Sequence, residues 1–502
     1  MTPCPHTPHR RAGAAPSTLP VLLALAALLA GCAVGPAYRA PAVALPAGFK
    51  EAPAAGATWL PAAPADALDR GPWWTLFADP GLDRLASQVE VSNQNVAAAV
   101  AAYAQAQALV RQQRAALFPS LALNYSASRS GGHAATASRA SPQQLGLGAS
   151  WEPDLWGRLR AGVSGAEAGA QASAADLAGA RLSAQAALAT NYFSLREADN
   201  ELALLTQAVA AYERALQITQ NQYAARIAQR SDVLQAQTQL ATTRANLAAM
   251  VEQRALLEHA IALLVGQPPA TFGIAAAAWD ARVPAVPLLL PSQLLQRRPD
   301  IAAAERAVAA ANAQIGVARA AYFPSVALSA GATAAGSSLA GLLNASNTLW
   351  SLGLTAAQTL FDGGAIAARV AGATAARDQA VATYRQTVLA AFGAVENQLS
   401  AARSLAEQEG LRRAAADAAE QNETIALNQY RQGQVPYTTV VSAQVTALAA
   451  RQALSQLMAA RQSAAVGLIQ ALGGGWYGLA AAAAAPAPAG AQYSVSTSQA
   501  SR

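Results

Sequence analysis

The chain has 502 residues, 53% hydrophobic with alanine prominent among them, 12% charged and 6% aromatic, and carries a formal charge of +6. That composition suits closely packed helices with small side chains at their seams, and argues against one large greasy core. The arginines stand singly among acids with no basic stripe and no interleaved aromatics, which argues against nucleic acid as a partner, and two cysteines exclude a disulfide framework.

Residues 1–31 read as a lipoprotein signal peptide. Arg10 and Arg11 supply a basic start, Leu19 to Ala30 an apolar run too short to span a bilayer, and Leu29-Ala30-Gly31-Cys32 a small-residue cleavage site resembling a bacterial lipobox. Under that resemblance Cys32 is the lipid anchor, the covalent lipid is the one attached group the sequence calls for, and Ala33, where inner-membrane lipoproteins tend to carry Asp, implies an anchor in the outer membrane. The competing reading is an ordinary secretory signal with a chance cysteine. Residues 32–64 are rich in Pro and Ala with little periodicity and read as an extended tether.

A first repeat follows over residues 65–275. Asp79 caps a helix with Pro80 at its first position, predicted to run to about Leu117. Helical periodicity stops at Pro119, and alternation begins: Leu121, Leu123, Tyr125 and Ala127 share one face, Ala122, Asn124, Ser126 and Ser128 the other. Strands are expected at about 119–129 and 144–152, separated by the Gly/Ser/Pro-rich loop Ser130 to Pro142. A long helix is expected over 157–222, with Leu188, Leu195, Leu202, Val209, Leu216 and Tyr223 at strict seven-residue spacing as a coiled-coil seam. Ser231-Asp232 starts a further helix over 231–265.

After a connector at 276–298, residues 299–476 repeat the plan: helix, strands at about 324–333 and 348–358, long helix 364–432, and helix 437–472. Residues 477–502 form an Ala/Pro/Ser tail that reads as disordered. The duplication is explicit, because Arg114 to Leu123 is echoed by Arg319 to Leu328 at a separation of 205, and Asn221-Gln222-Tyr223, Ala236-Gln237 and Gly266 recur 207 residues later. In the first copy the helix before the strands and the helix after the turn together match the long helix in length, which predicts end-to-end stacking of the short pair beside the long one.

Four alternating strands with an apolar face point to a mixed α+β membrane protein. Unpaired strand edges in hydrocarbon leave amides that each cost several kcal/mol, so the sheet must close, and four strands are too few. Three copies pooling their strands would make a 12-stranded β-barrel, continuous with a long α-helical barrel on the same axis. A soluble sandwich with a solid helical bundle is the alternative. No catalytic constellation, phosphate loop or metal spacing is visible: His6 and His9 lie in the leader, His133 in a loop, His259 alone on a helix, and Asp362-Gly363-Gly364 marks a bend. The chain does not read as an enzyme.

The segment Trp73-Trp74 to Leu85, both Phe-Pro-Ser junctions, Leu360-Phe361-Asp362-Gly363-Gly364, Arg298-Pro299-Asp300 to Glu305 and Leu472-Gly473-Gly474-Gly475-Trp476 resemble the outer membrane factor family. The likeness is to the lipoprotein branch that serves resistance-nodulation-division multidrug efflux, and covers about residues 59 to 476. It implies a homotrimeric channel-tunnel in the outer membrane of a Gram-negative bacterium, reaching into the periplasm, where a membrane fusion (adaptor) protein joins it to an inner-membrane pump. Under that resemblance the hairpin tips, with Arg226 and Ile227 in one copy and Gly433, Gln434 and Pro436 in the other, contact the adaptor. The first tip lacks the glycine usual in the family. Asp417, Glu420 and Glu423, three residues apart, are the candidate periplasmic gate, with a solvated helix face as the alternative. Two other functions use the same sequence features: the outer-membrane exit of a type I protein-secretion system, and a non-conducting periplasmic coiled-coil scaffold.

Overall fold

A computed structural model describes residues 34–44, 46, 48–52, 71–129, 143–286, 297–336 and 348–474. The signal peptide, Cys32, the remainder of the tether, the loop with His133, part of the connector, and Trp476 with the tail lie outside the described residues. In chain order the elements are α1 (Pro80–Ser92), α2 (Gln94–Ala115), β1 (Ser120–Ala127), β2 (Gln143–Trp151), α3 (Arg158–Ala224), α4 (Arg230–Leu264), α5 (Pro299–Ala320), β3 (Ser325–Gly336), β4 (Thr348–Ala357), α6 (Ala365–Arg431) and α7 (Tyr437–Ala471). Short 3₁₀ turns occupy Trp73–Phe77 and Pro269–Thr271. The copies match closely: α3 and α6 have 67 residues each, α4 and α7 have 35 each. Among the described residues no helix is long and apolar enough to cross a membrane.

The chain falls into two compact units, one within residues 1–40, 106–170 and 307–380, the other within 41–105, 171–306 and 381–502. Each draws on both repeats, so the folded units cut across the division by sequence.

The first unit holds an antiparallel meander in the order β1-β2-β3-β4. Its register carries the alternation across all four strands. Tyr125 faces Leu145, which faces Ala334; Leu123 faces Leu147, Ala332 and Trp350 in turn. Side chains paired this way share a face, and on that face Leu121, Leu123, Leu352 and Leu354 are exposed. The other face is small and polar, as in the row Ala122, Gly148, Gly331 and Ser351. Small residues fit closely there: a Cβ on Gly353 would come within 2.6 Å of the Ser329 hydroxyl, which would have to turn away. Two indoles secure the junctions below the strands. Trp151 donates to the Leu117 carbonyl at 3.0 Å, and Trp156 donates to the Pro324 carbonyl at 2.7 Å while stacking on Phe323 at 4.8 Å. Asp154 accepts from the backbone of Leu159 and Arg160 at the start of α3, and Asp362 from Gly364 and Ile366 at the start of α6. Gly363 and Gly364 have φ of 64° and 94°, so glycine there permits the bend.

The second unit is helical. Its core packs Trp73, Trp74, Phe77, Leu82, Leu85 and Val89 against Leu188, Tyr192 and Leu195 of α3, Ile261 of α4 and Ile469 of α7. Asp79 caps α1 through the Gly81 and Leu82 amides and accepts from the Tyr192 hydroxyl at 2.8 Å. Burial first, then contact with Asp79, pushes Tyr192 up to about 12, against an opposing hydrogen bond to Arg196. From there a ladder of charges runs from α3 to α4: Arg196 donates to Asp199 at 3.0 Å, Arg254 of α4 donates to Asp199 at 2.6 Å, and Arg254 also pairs with Glu258.

Four sequence expectations are corrected. The helix expected from Pro80 to Leu117 breaks at Asn93, which turns extended, caps α2 through Asn95 and Val96, and donates to the Leu264 carbonyl at the end of α4. In the second copy Arg298 donates to the Ala471 carbonyl at the end of α7, 205 residues after Asn93 and 207 after Leu264. The helix ends therefore meet at α2 and α4 and at α5 and α7, while α1 is an extra element of the first copy. Second, the N-cap of α4 is Gln229, whose amide donates to Asp232; Ser231 lies inside the helix. Third, the described part of the tether is docked: Asn312 donates to Pro36, Phe49 is buried against Val395, Leu399 and Leu472, and Glu396 accepts from the Lys50 and Glu51 amides. Fourth, the seven-residue seam is fully buried only at Leu188 and Leu195, while Leu202, Val209 and Leu216 are half-buried and Tyr223 is exposed. Further along α3 a second row, Ala198, Leu205, Tyr212 and Thr219, is buried. The drift of about 20° per heptad of a straight 3.6-residue helix would favour the row four positions on; the row three positions on is buried instead because it meets the neighbouring helices, Tyr212 donating to the Gln444 carbonyl of α7 and Thr219 standing by the Tyr430 hydroxyl of α6.

Candidate gate and helix-hairpin tips

The two tips are built alike despite different sequences. At the end of α3 the Arg226 amide bonds the Tyr223 carbonyl at 2.9 Å and the Ile227 amide bonds Gln222 at 2.8 Å. At the end of α6 the Gly433 amide bonds Tyr430 at 2.9 Å and the Gln434 amide bonds Gln429 at 2.9 Å. Such a pairing reverses a helix through one left-handed residue. Gly433 fills that role with φ 73°, and Arg226 fills it with φ 60°. The missing glycine in the first tip therefore changes the side chain and keeps the turn. Arg226, Ile227, Gly433, Gln434 and Pro436 are all exposed. Behind them Tyr430 and Tyr437 pack with ring centroids 5.2 Å apart, among Ala215, Ala236 and Val440.

The candidate gate acids lie on α6, and two of the three face α7. Arg451 holds Glu420 at 3.0 Å and Glu423 at 3.4 Å. Glu423 is the more enclosed; burial raises its carboxyl above the usual range, with Arg451 acting in the opposite direction and Glu420 adding to the rise. Tyr212 of α3 stands by the same group, donating to the Gln444 carbonyl at 3.4 Å, and is itself raised by burial. Asp417 is exposed and lies outside this cluster. Arg451 and Tyr212 escaped the sequence reading. The signal for Arg451 was present, since Arg451 and Arg461 are the basic residues of α7, and an acid pair three apart on one helix calls for a cation on the next. Among the described residues, no group of three or more His, Cys, Asp or Glu could hold a metal ion.

Comparison with known proteins agrees with this architecture. Pyoverdine export outer membrane protein OpmQ of Pseudomonas aeruginosa is 31% identical over 466 residues, covering 91% of this chain and 96% of OpmQ. Cation efflux system protein CusC of Escherichia coli is 30% identical over 465 residues, covering 91% of this chain and 98% of CusC. The solved structure of the outer-membrane channel OprN superimposes with a TM-score of 0.79 at 30% identity, covering 89% of this chain and 100% of that one. The family model described as outer membrane efflux protein matches residues 85–267 and 290–474. Those spans begin 205 residues apart and end 207 apart, the same offsets that relate Asn93 to Arg298 and Arg226 to Gly433. With one match falling on each repeat, the chain belongs to the outer membrane efflux protein family.

Proposed function

We propose that this protein is the outer-membrane channel of a tripartite efflux system, passively passing small molecules or ions delivered by an inner-membrane pump through a periplasmic adaptor. As a family member it is an outer-membrane protein of a Gram-negative bacterium and serves efflux. The observation that carries the finer reading is the four-stranded sheet, with one apolar exposed face, one small polar face, and β1 and β4 at its edges. Closing three such sheets edge to edge would satisfy every backbone group and leave a polar lumen. In this proposal Cys32 carries the lipid, Arg226, Ile227, Gly433, Gln434 and Pro436 meet the adaptor, and the ring of Asp417, Glu420 and Glu423, braced by Arg451, gates the periplasmic end. Relatives named for pyoverdine, cations, solvents and antibiotics support a wide duct whose cargo is chosen upstream.

The test is planar-bilayer conductance of the purified full-length protein, with the mass of the detergent-solubilised complex measured alongside. A mass of three copies and discrete conductance steps are expected, and Glu420→Ala with Glu423→Ala should raise the resting conductance. A single-copy mass with no conductance would overturn the channel. Conductance unchanged in the double variant would return both acids to a solvated face.

A further inference from the structure

Along the seam between α3 and α7, α3 carries two carboxylates one turn apart, Glu197 and Glu201, which are near neighbours on a helix surface. Glu201 is only 6% exposed and accepts from the Gln452 side-chain amide of α7 at 2.7 Å. Between them Asn200 donates to the Ser455 hydroxyl of α7 at 2.9 Å. Glu197 Oε1 is buried with no hydrogen-bond partner. Among the described residues no ion pair to either carboxylate is present. Arg196 on α3 is committed to Asp199, which also holds Arg254 of α4. On α7, Arg451 is committed to Glu420 and Glu423 of α6, and Arg461 to Glu409 of α6. What faces the two carboxylates from α7 is neutral: the Gln452 amide and the Ser455 hydroxyl.

Two ionised carboxylates one helical turn apart, Glu201 buried and Glu197 half-buried with its Oε1 closed off from water, are disfavoured together without a counter-ion. One proton resolves the conflict. It removes a charge, gives Glu197 a hydroxyl to donate towards Glu201, and leaves Glu201 able to accept from Gln452 across the seam.

We propose that Glu197 and Glu201 hold one proton between them, forming a proton-binding latch that fastens α3 to α7 in weakly acidic surroundings and slackens above neutrality. Burial first, then the Glu201 carboxylate, pushes Glu197 up to about 7, with the Ser455 hydroxyl pulling the other way. An acid raised in the folded state stabilises that state when protonated. The contribution is complete below the ordinary glutamate range and is lost as pH rises through about 7. The latch shares no residue with the proposed gate and does not depend on it, although its Gln452 follows the Arg451 of the gate on α7.

The experiment is an isotope-edited infrared titration of the full-length, detergent-solubilised protein with labelled glutamate carboxyls, from about pH 5 to about pH 8, beside thermal unfolding over the same range. The wild type should show a protonated-carboxyl band that disappears near neutrality, and its Tm should fall over the same interval. Glu197→Gln should lack that band and keep a higher Tm at the alkaline end. Glu201→Gln should move the titration of Glu197 to lower pH without returning it to the ordinary glutamate range, because the like-charged neighbour is lost while burial remains. Absence of the band in the wild type, which needs no variant to fold, would overturn the latch. So would a band that persists in Glu197→Gln, or one that magnesium removes at constant pH, since the pair would then be a cation site.

Discussion

At the scale of single residues, the most informative is Arg226. An L-residue in the left-handed region costs roughly 1–2 kcal/mol relative to the right-handed one, whereas glycine pays no such penalty. The opposite tip carries Gly433 in the same conformation with the same two hydrogen bonds. The arginine side chain is exposed at the turn beside Ile227, which is 74% exposed. Arg226→Gly should relax the turn by about 0.5–1 kcal/mol, after the extra unfolded-state entropy of glycine is subtracted. Amide exchange across residues 225–228 would then slow by roughly two- to fivefold in the detergent-solubilised protein. Unchanged or faster exchange would mean that Arg226 is unstrained. The sequence shows that this tip lacks the usual glycine but gives no sign that Arg226 adopts the same left-handed conformation. Backbone conformation is shared where sequence is not, because the surrounding helix ends determine it. Gate partners were hidden for a related reason: the spacing of Glu420 and Glu423 is local, but Arg451 comes from another helix, 28 residues beyond Glu423.

At the scale of elements, duplication supplied the architecture and also the means of correcting it. Strand faces were legible because alternation is local, and the register carries it unbroken from Leu121 to Leu354. The break at Asn93 was not, since an asparagine between helical segments carries no periodic signal. Laying the copies over each other exposes it: Asn93 corresponds to Arg298, the residue before α5, so a helix boundary belongs there. Both residues reach the last carbonyls of a 35-residue helix, an asparagine amide in one copy and a guanidinium in the other. Asn93→Ala removes the two capping bonds to Asn95 and Val96 and orphans the Leu264 carbonyl. The cap is worth about 1–2 kcal/mol and the orphaned carbonyl about 1 kcal/mol more. A lowered apparent Tm at fixed scan rate is expected, with Asn93→Asp, which keeps the acceptor and loses the donor, falling between the variant and the wild type. Equal Tm values for all three proteins would show that the junction bears no load. The drifting seam of α3 belongs here too. Seven-residue spacing announced a coiled coil, but only packing decides which row a helix of 3.6 residues per turn buries along 67 residues.

At the scale of the whole molecule, everything turns on what becomes of the two sides of the sheet. Leu352 is 76% exposed on the apolar side, opposite Ala330, and its neighbour Ser351 lies on the polar side opposite Gly331. In a single water-soluble copy the two positions would tolerate a lysine about equally, as both are open strand sites. In a closed barrel they differ sharply. A lysine facing lipid near the bilayer midplane costs about 2–4 kcal/mol, paid once in each copy of an assembly, whereas one facing a wet lumen costs little and changes the local charge. Leu352→Lys should therefore lower the amount of protein recovered in the outer membrane and the fraction with the mass of the full assembly. Ser351→Lys should assemble normally and shift conductance toward anions, because a ring of ammonium groups repels cations at close range. Equal recovery of the two variants, with identical ion selectivity, would mean that neither side of the sheet meets lipid and that the strands close no barrel.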